Sequence, residues 1–222
     1  HNLKVNAVQG IFYKTNLNVF ENSKDNFKNI FHHVKLIFKI CKITKCHKII
    51  IGSSDFRNPK NISNKQADLI FYFFLKKAHK YLRKEKIYFC LEAIPIQYGE
   101  KYLYDINHLI KIVKKVKSPW IKINLDTSIF HFKRLDMKQI NKNANLIKNI
   151  QITESNFDYL ENISKNNKLF LNKIKTFRKL ESISLEIIKH QTNLLKIDNS
   201  LKKLLFHFNG LNNKFLTNNK IF

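Results

Sequence analysis

Apolar positions along the chain follow two rhythms. Six short segments read as strands: LKVNAVQG (3–10), HKIIIGSS (47–54), KIYFCLEA (86–93), WIKINLD (120–126), IKNIQITE (147–154) and ESISLEII (181–188). Between them the apolar residues recur at helical spacing. SKDNFKNIFHHVKLIFKICKI (23–43) opens on Ser23 as a plausible N-cap, KQADLIFYFFLKKAHKYLRKE (65–85) is similar, and DINHLIKIVKKVK (105–117) stops at Ser118-Pro119. A shorter helix is expected over 136–146, another over 168–180 and a last one over 192–207. Strands alternating with helices predict βα units and a parallel sheet.

The strand faces sharpen this picture. Tyr88, Cys90 and Glu92 share one face of their strand, Lys122, Asn124 and Asp126 one face of the next, then Asn149, Gln151 and Thr153, then Ser182, Ser184 and Glu186. The opposite faces carry Phe89 and Leu91; Ile121, Ile123 and Leu125; Ile150 and Ile152; Ile183, Leu185 and Ile187. Parallel strands covered on both sides usually read as continuous Val/Ile/Leu. Two architectures give this alternation: antiparallel strands with a wet face, or a barrel whose apolar faces meet the helices and whose polar faces lead to a site at the strand carboxyl ends. The intervening helices favour the barrel. The expectation is an α/β fold of (β/α)8 TIM-barrel type, one domain over residues 1–222. With about six of eight strands visible it is incomplete at the N-terminus, by two βα units.

Composition changes the picture in three places. No apolar run reaches the ~18 to 20 residues of a membrane span, so no membrane partner is expected. Three cysteines make no disulfide framework; they fit a reducing compartment, and a cytoplasmic protein is expected. Cys41, Cys46 and His47 in CKITKCH do not match a zinc spacing, and Cys41 reads as helix packing. The formal charge of +25 and a pI near 10.0 admit nucleic acid as a partner. The positive residues are mostly Lys, spread over the whole chain, in a sequence rich in Asn, Ile and Phe and holding only 4 Gly. That pattern favours compositional drift over a dedicated nucleic-acid surface.

Against this basic background, with 16 acids to 41 bases, three strands end in an acid of the same parity: Glu92, Asp126 and Glu186. A fourth strand carries Gln151 at the equivalent place. Carboxylates gathered at one mouth need a cation, shared protons or basic partners. Oxygen donors favour Mg²⁺ or Mn²⁺.

These segments resemble the xylose-isomerase-like barrels, in particular the sugar phosphate isomerase/epimerase family. LEAIPIQYG is similar to that family's strand-five Glu with its Pro-containing loop and Tyr-Gly. INLDT resembles the strand-six Asp-Thr, IKNIQITESNF a strand-seven segment, SISLEI the strand-eight Glu, and VNAVQGIFYKTNLNVF with IIIGSSDFRN strands three and four. The resemblance implies a divalent metal (Mn²⁺ or Mg²⁺, Zn²⁺ less favoured) on Glu92, Asp126, Gln151 and Glu186. It also implies that Glu92 and Glu186 double as acid and base in isomerising or epimerising a sugar or sugar phosphate through an enediolate. Gln9, Arg57 and His131 are candidate substrate contacts. Two departures stand out: Gln151 occupies the place of a metal-binding His, and Ile94 follows the Glu where related chains often carry a polar residue. The alternatives are a non-catalytic remnant of the barrel and, less favoured, an endonuclease-four-like nucleic-acid enzyme. The segment 192–208 could pack a neighbouring subunit in a homo-oligomer or cover the outside of its own fold.

Overall fold

A computed structural model describes residues 4–208, apart from 22, 133–135, 175–176, 178 and 189–192. Five parallel strands, β1 (Lys48–Ile51), β2 (Tyr88–Glu92), β3 (Ile121–Asp126), β4 (Ile147–Thr153) and β5 (Ser182–Glu186), follow one another in sheet order. Helices α1 (Lys24–Ile43), α2 (Asn64–Glu85), α3 (Ile106–Val116), α4 (Ile129–Phe132), α5 (Met137–Lys142), α6 (Lys165–Ile174) and α7 (Leu194–Phe208) alternate with them. This is the βα repeat of a TIM-type barrel, in a form with fewer strands than the full eight. The segment 3–10 contributes less than a strand. Val8 bridges Ile49 in parallel, its N–H donating to the Lys48 carbonyl at 3.0 Å and its carbonyl accepting from Ile50 at 2.8 Å.

The chain divides into two compact units, His1–Asn124 and Leu125–Phe222, parted within β3. In the first unit β1 and β2 run in register from Lys48↔Tyr88 to Ile51↔Leu91, and β2 meets β3 through Glu92↔Asn124. Ile49, Ile51, Phe89 and Leu91 are buried with Phe31, Val34 and Phe38 of α1 and Phe71, Phe74, Leu75 and Leu82 of α2. Each such side chain contributes about 1.5–3 kcal/mol on burial. Ser23 caps α1 by accepting from the Asn26 N–H at 3.0 Å, as the sequence predicts. Ser63 and Gln66 form a reciprocal capping box on α2.

In the second unit β4 and β5 pair from Asn149↔Ser182 to Thr153↔Glu186. Ile150 and Ile152 are buried there with Phe170, Leu171 and Ile174 of α6, and Phe130 meets Phe170 at 5.4 Å between ring centres. Helix α7 docks within this unit: Ser200 Oγ accepts the Leu160 N–H and the Tyr159 hydroxyl accepts the Asn193 N–H, both at 2.9 Å. The polar faces read from the sequence are half-buried to fully buried, with Asn124 and Thr153 at 0% exposure and Gln151 at 3%. Parallel pairing and this burial together remove the antiparallel, wet-faced alternative.

Among the described residues no helix is long and apolar enough to cross a membrane. A different trace of composition appears at the helix ends. Lys86 and Lys117, the residues closing α2 and α3, sit in the left-handed region at φ 55° and 51°, and Lys14, Lys45 and Lys60 do likewise in turns. Glycine is the usual residue there because a Cβ is strained at positive φ. Lys117→Gly is expected to raise the unfolding free energy by about 1 kcal/mol, read as a higher urea midpoint at unchanged slope. A neutral or destabilising result would show that Lys117 makes compensating contacts.

Candidate functional site

Glu92 ends β2 half-buried, and its Oε2 accepts from Asn124 Nδ2 at 3.0 Å, across the rung that pairs the two residues. Immediately after β1, Gly52 leaves room for that carboxylate: a Cβ built on Gly52 would lie 2.7 Å from Glu92 Oε2 and 3.1 Å from Cδ. Neither partner was singled out from the sequence. Asn124 was visible by parity as the residue sharing the polar face with Asp126. Gly52 carried only the general signal that an isolated glycine at a strand end marks a close approach.

The second unit holds the other three strand-end residues. Asp126 is 3% exposed and accepts the Ser128 N–H at 2.7 Å, a tight turn that fixes its carboxylate at the end of β3. The next amide, Thr127 N–H, donates to the Gln151 carbonyl at 3.0 Å, so Asp126 and Gln151 belong to neighbouring stretches of backbone. Gln151 lies level with Ser184, and Glu186 level with Thr153, so Glu186 stands one same-face step beyond Gln151 along the strand direction. Glu186 is half-buried. Among the described residues no three His, Cys, Asp or Glu side chains are grouped to hold a metal ion. The donors in this unit are two carboxylates and an amide oxygen, all hard. In kind they fit Mg²⁺ or Mn²⁺, and they lack the imidazole or thiolate that zinc favours.

The three expected substrate contacts fare differently. Gln9 is exposed, one residue past the Val8 bridge and before Gly10 at φ 66°. Arg57 is at 0% exposure and bound to Glu100: Nε and Nη2 donate to Oε2 at 2.8 and 2.6 Å, and Nη1 donates to the Ile51 carbonyl at 3.2 Å. Glu100 Oε1 in turn accepts the N–H groups of Tyr102 and Leu103. This geometry corrects the reading of Arg57 as a substrate contact: it clamps the loop after β1 to the loop after β2. His131 Nε2 is 2.8 Å from the Thr153 carbonyl, which also accepts from Thr127 Oγ1 and Asn167 Nδ2, both at 3.1 Å. The imidazole is corrected likewise, from a substrate contact to a brace on the end of β4. The buried Glu154 joins the same network, accepting from Asn167 Nδ2 at 2.9 Å and the Ser164 N–H at 3.0 Å.

Three further groups have strongly shifted protonation. The hydrogen bond from Cys41 is the main cause lowering the Cys46 thiol to about 6, while that bond and burial push Cys41 far above its ordinary range. Cys41 is 1% exposed and packs in the helix–sheet core, as expected. Burial first, then the hydrogen bond to Asp68, raises the Tyr102 phenol.

These units have the fold of the xylose-isomerase-like barrels. Among solved structures the chain is similar to the 3-keto-D-glucoside 4-epimerase of E. coli, with a TM-score of 0.73 at 12% identity over 92% of this chain and 80% of that one. It is similar to an AP endonuclease, family 2, of Brucella melitensis, at 0.72 and 13% over 92% and 79%. It is also similar to the IolI protein solved with a zinc atom, at 0.69 and 12% over 98% and 79%. No protein-family model and no curated protein sequence matches the chain.

Proposed function

We propose that the chain is an isomerase or epimerase of a sugar or sugar phosphate, working by proton transfer at the carbon beside a carbonyl. The observation that carries this reading is strand position: Glu92, Asp126 and Glu186 are the last residues of β2, β3 and β5, and Gln151 lies two residues before the end of β4. The fold's occurrence in a sugar epimerase and in a zinc-bound protein supports it. In this reading Asp126, Gln151 and Glu186, with Glu92, would hold a divalent ion, Mg²⁺ or Mn²⁺ by donor chemistry. Such an ion, when bound, polarises the carbonyl and its neighbouring hydroxyl and makes the proton between them easier to remove. Glu92 takes that proton, its carboxylate oriented by the Asn124 amide and admitted by Gly52. Glu186 returns a proton, to the other face of the same carbon for epimerisation or to the adjacent carbon for isomerisation. Asp126, pinned by Ser128, holds its place at the β3 end without moving a proton.

The test is solvent-deuterium incorporation into ketoses and ketose phosphates with Mn²⁺ present, beside calorimetric Mn²⁺ binding. Glu186→Gln is expected to slow exchange by about 10²–10⁴-fold with an unchanged circular-dichroism spectrum. A folded chain that binds no Mn²⁺ and exchanges no proton would overturn the proposal and leave the non-catalytic barrel. The endonuclease resemblance and the charge of +25 favour a second reading, cleavage at abasic sites in DNA. Incision of an abasic duplex by this chain, lost in Glu186→Gln, would replace the first reading with it.

A further inference from the structure

Away from the strand ends, α1 and α2 border an open surface cleft of about 520 Å³ lined by Lys24, Lys28, Asn29, Phe31, His32, Lys35, Lys77 and Tyr81, most of them exposed. Lys24, Lys28, His32 and Lys35 fall on one stripe of α1, spaced at three to four residues, and Lys77 and Tyr81 are one turn apart on α2. Four lysines therefore line one concavity with no acid in its lining. Like charges at this spacing repel, so the free pocket stands at a cost that an anion would relieve.

The acids on these two helices do not neutralise it. Glu85 pairs with Lys42 at 2.5 Å, and Asp68 is held by Tyr102 and His108 at 2.8 Å each. Asp25, in the first turn of α1, is not part of the lining. Among the described residues none of the four lysines is in an ion pair. Two of them are instead held at the wall by aromatic faces: Lys77 Nζ lies 4.9 Å from the Phe31 ring centre and Lys35 Nζ lies 5.3 Å from that of Tyr81. Those two rings sit 5.4 Å apart and form a common wall. Compositional drift explains many lysines. With 16 acids to 41 bases, lysines without an acidic partner are expected; what distinguishes these four is that they line one concavity beside the Phe31 and Tyr81 rings.

We propose that this pocket binds a compact anion carrying two or more phosphate groups. A single phosphate would leave most of the four charges uncompensated. The volume lies within the range of small-molecule sites, about 300–1,000 Å³, which favours a compact ligand over a nucleic-acid strand. Tripolyphosphate and ADP present the shared chemistry from two sources, and comparing them shows whether a nucleoside adds affinity against the Tyr81 and Phe31 wall. The inference is independent of the proposed isomerase chemistry, since it uses none of the strand-end residues.

The experiment is calorimetric titration of the full chain with tripolyphosphate, ADP, orthophosphate and a twelve-nucleotide single-stranded DNA, without added metal. It compares the unmodified chain with Lys28→Gln/Lys35→Gln/Lys77→Gln and with a charge-matched control, Lys101→Gln/Lys111→Gln/Lys138→Gln. Tripolyphosphate or ADP is expected to saturate at one site, more tightly than orthophosphate. Affinity should fall by roughly tenfold or more in the pocket variant, change little in the control, and weaken as salt rises. Equal losses in both variants would overturn the proposal, because net charge alone would then account for binding. So would absent binding, or pocket-dependent binding of the DNA with none of the polyphosphates; the last result would assign the pocket to nucleic acid.

Discussion

Glu100→Ala is expected to lower the unfolding free energy by about 3–5 kcal/mol, the usual cost of stranding one partner of a buried ion pair. Both side chains are sealed from solvent, at 0% exposure each, so Arg57 would keep its charge in the interior without a counter-ion. The loss is larger than a salt bridge alone. Glu100 also accepts the Tyr102 and Leu103 amides, which would lose their acceptor where water cannot replace it. Arg57→Met/Glu100→Leu should recover part of the loss, because it removes both charges and leaves only neutral groups, the Tyr102 and Leu103 amides and the Ile51 carbonyl, without these partners. Urea unfolding of the three proteins checks this. A single variant less than about 1 kcal/mol below the parent would mean that solvent or another cation reaches Glu100, and the clamp between the two loops would be lost as an explanation.

The same pair shows where the sequence stops being informative. Among the described residues, hydrophobic period located all five strands and six of the seven helices, missing only the one-turn α4 (Ile129–Phe132), because helix and strand spacing are local properties of the chain. It predicted 47–54 where β1 is Lys48–Ile51, and 23–43 where α1 is Lys24–Ile43. It did less well where caps and kinks decide the boundary. The helix expected over 136–146 is α5 followed by a separate 3₁₀ turn at Ala144–Leu146, and that over 168–180 is α6 at Lys165–Ile174. Segment 3–10 reads as a full strand, yet among its described residues only Val8 pairs.

Side-chain roles were legible only where strand parity fixed them. Parity put Asn124, Asp126, Gln151 and Glu186 on one kind of face, and the burial and registers agree. Arg57 could not be assigned this way, because its partner is 43 residues distant and the pairing is set by two loops meeting in space. His131 failed for the same reason: the carbonyl it braces belongs to Thr153, 22 residues on. A lone Arg or His beside a strand end looks the same in sequence whether it faces a ligand or a carbonyl. Lys48 is the opposite surprise, a lysine in a strand that is 1% exposed where drift would place it in water.

Gly52→Ala is expected to cut turnover in the proposed reaction by about 10–10²-fold while leaving the fold intact, an effect out of proportion to one methyl group. The backbone at Gly52 is not in the left-handed region, so alanine is conformationally acceptable there. Fewer unfolded states would even favour the folded chain by about 0.4–1 kcal/mol. What cannot be accommodated is the carboxylate: the new Cβ would stand 2.7 Å from Glu92 Oε2, the oxygen that accepts from Asn124. Glu92 must swing away or break that hydrogen bond, and a base displaced by a fraction of an ångström no longer meets its proton. Mn²⁺ affinity should fall alongside turnover if Glu92 is a ligand, and stay unchanged if it is only a base. Glu92→Asp, added to Gly52→Ala, shortens the acid by one methylene and should restore part of the rate, although alone it should slow the parent. A Gly52→Ala protein with parental turnover and parental Mn²⁺ affinity would show that the Glu92 carboxylate does not act from the position it holds against Gly52, and the acid–base role would have to pass to another residue.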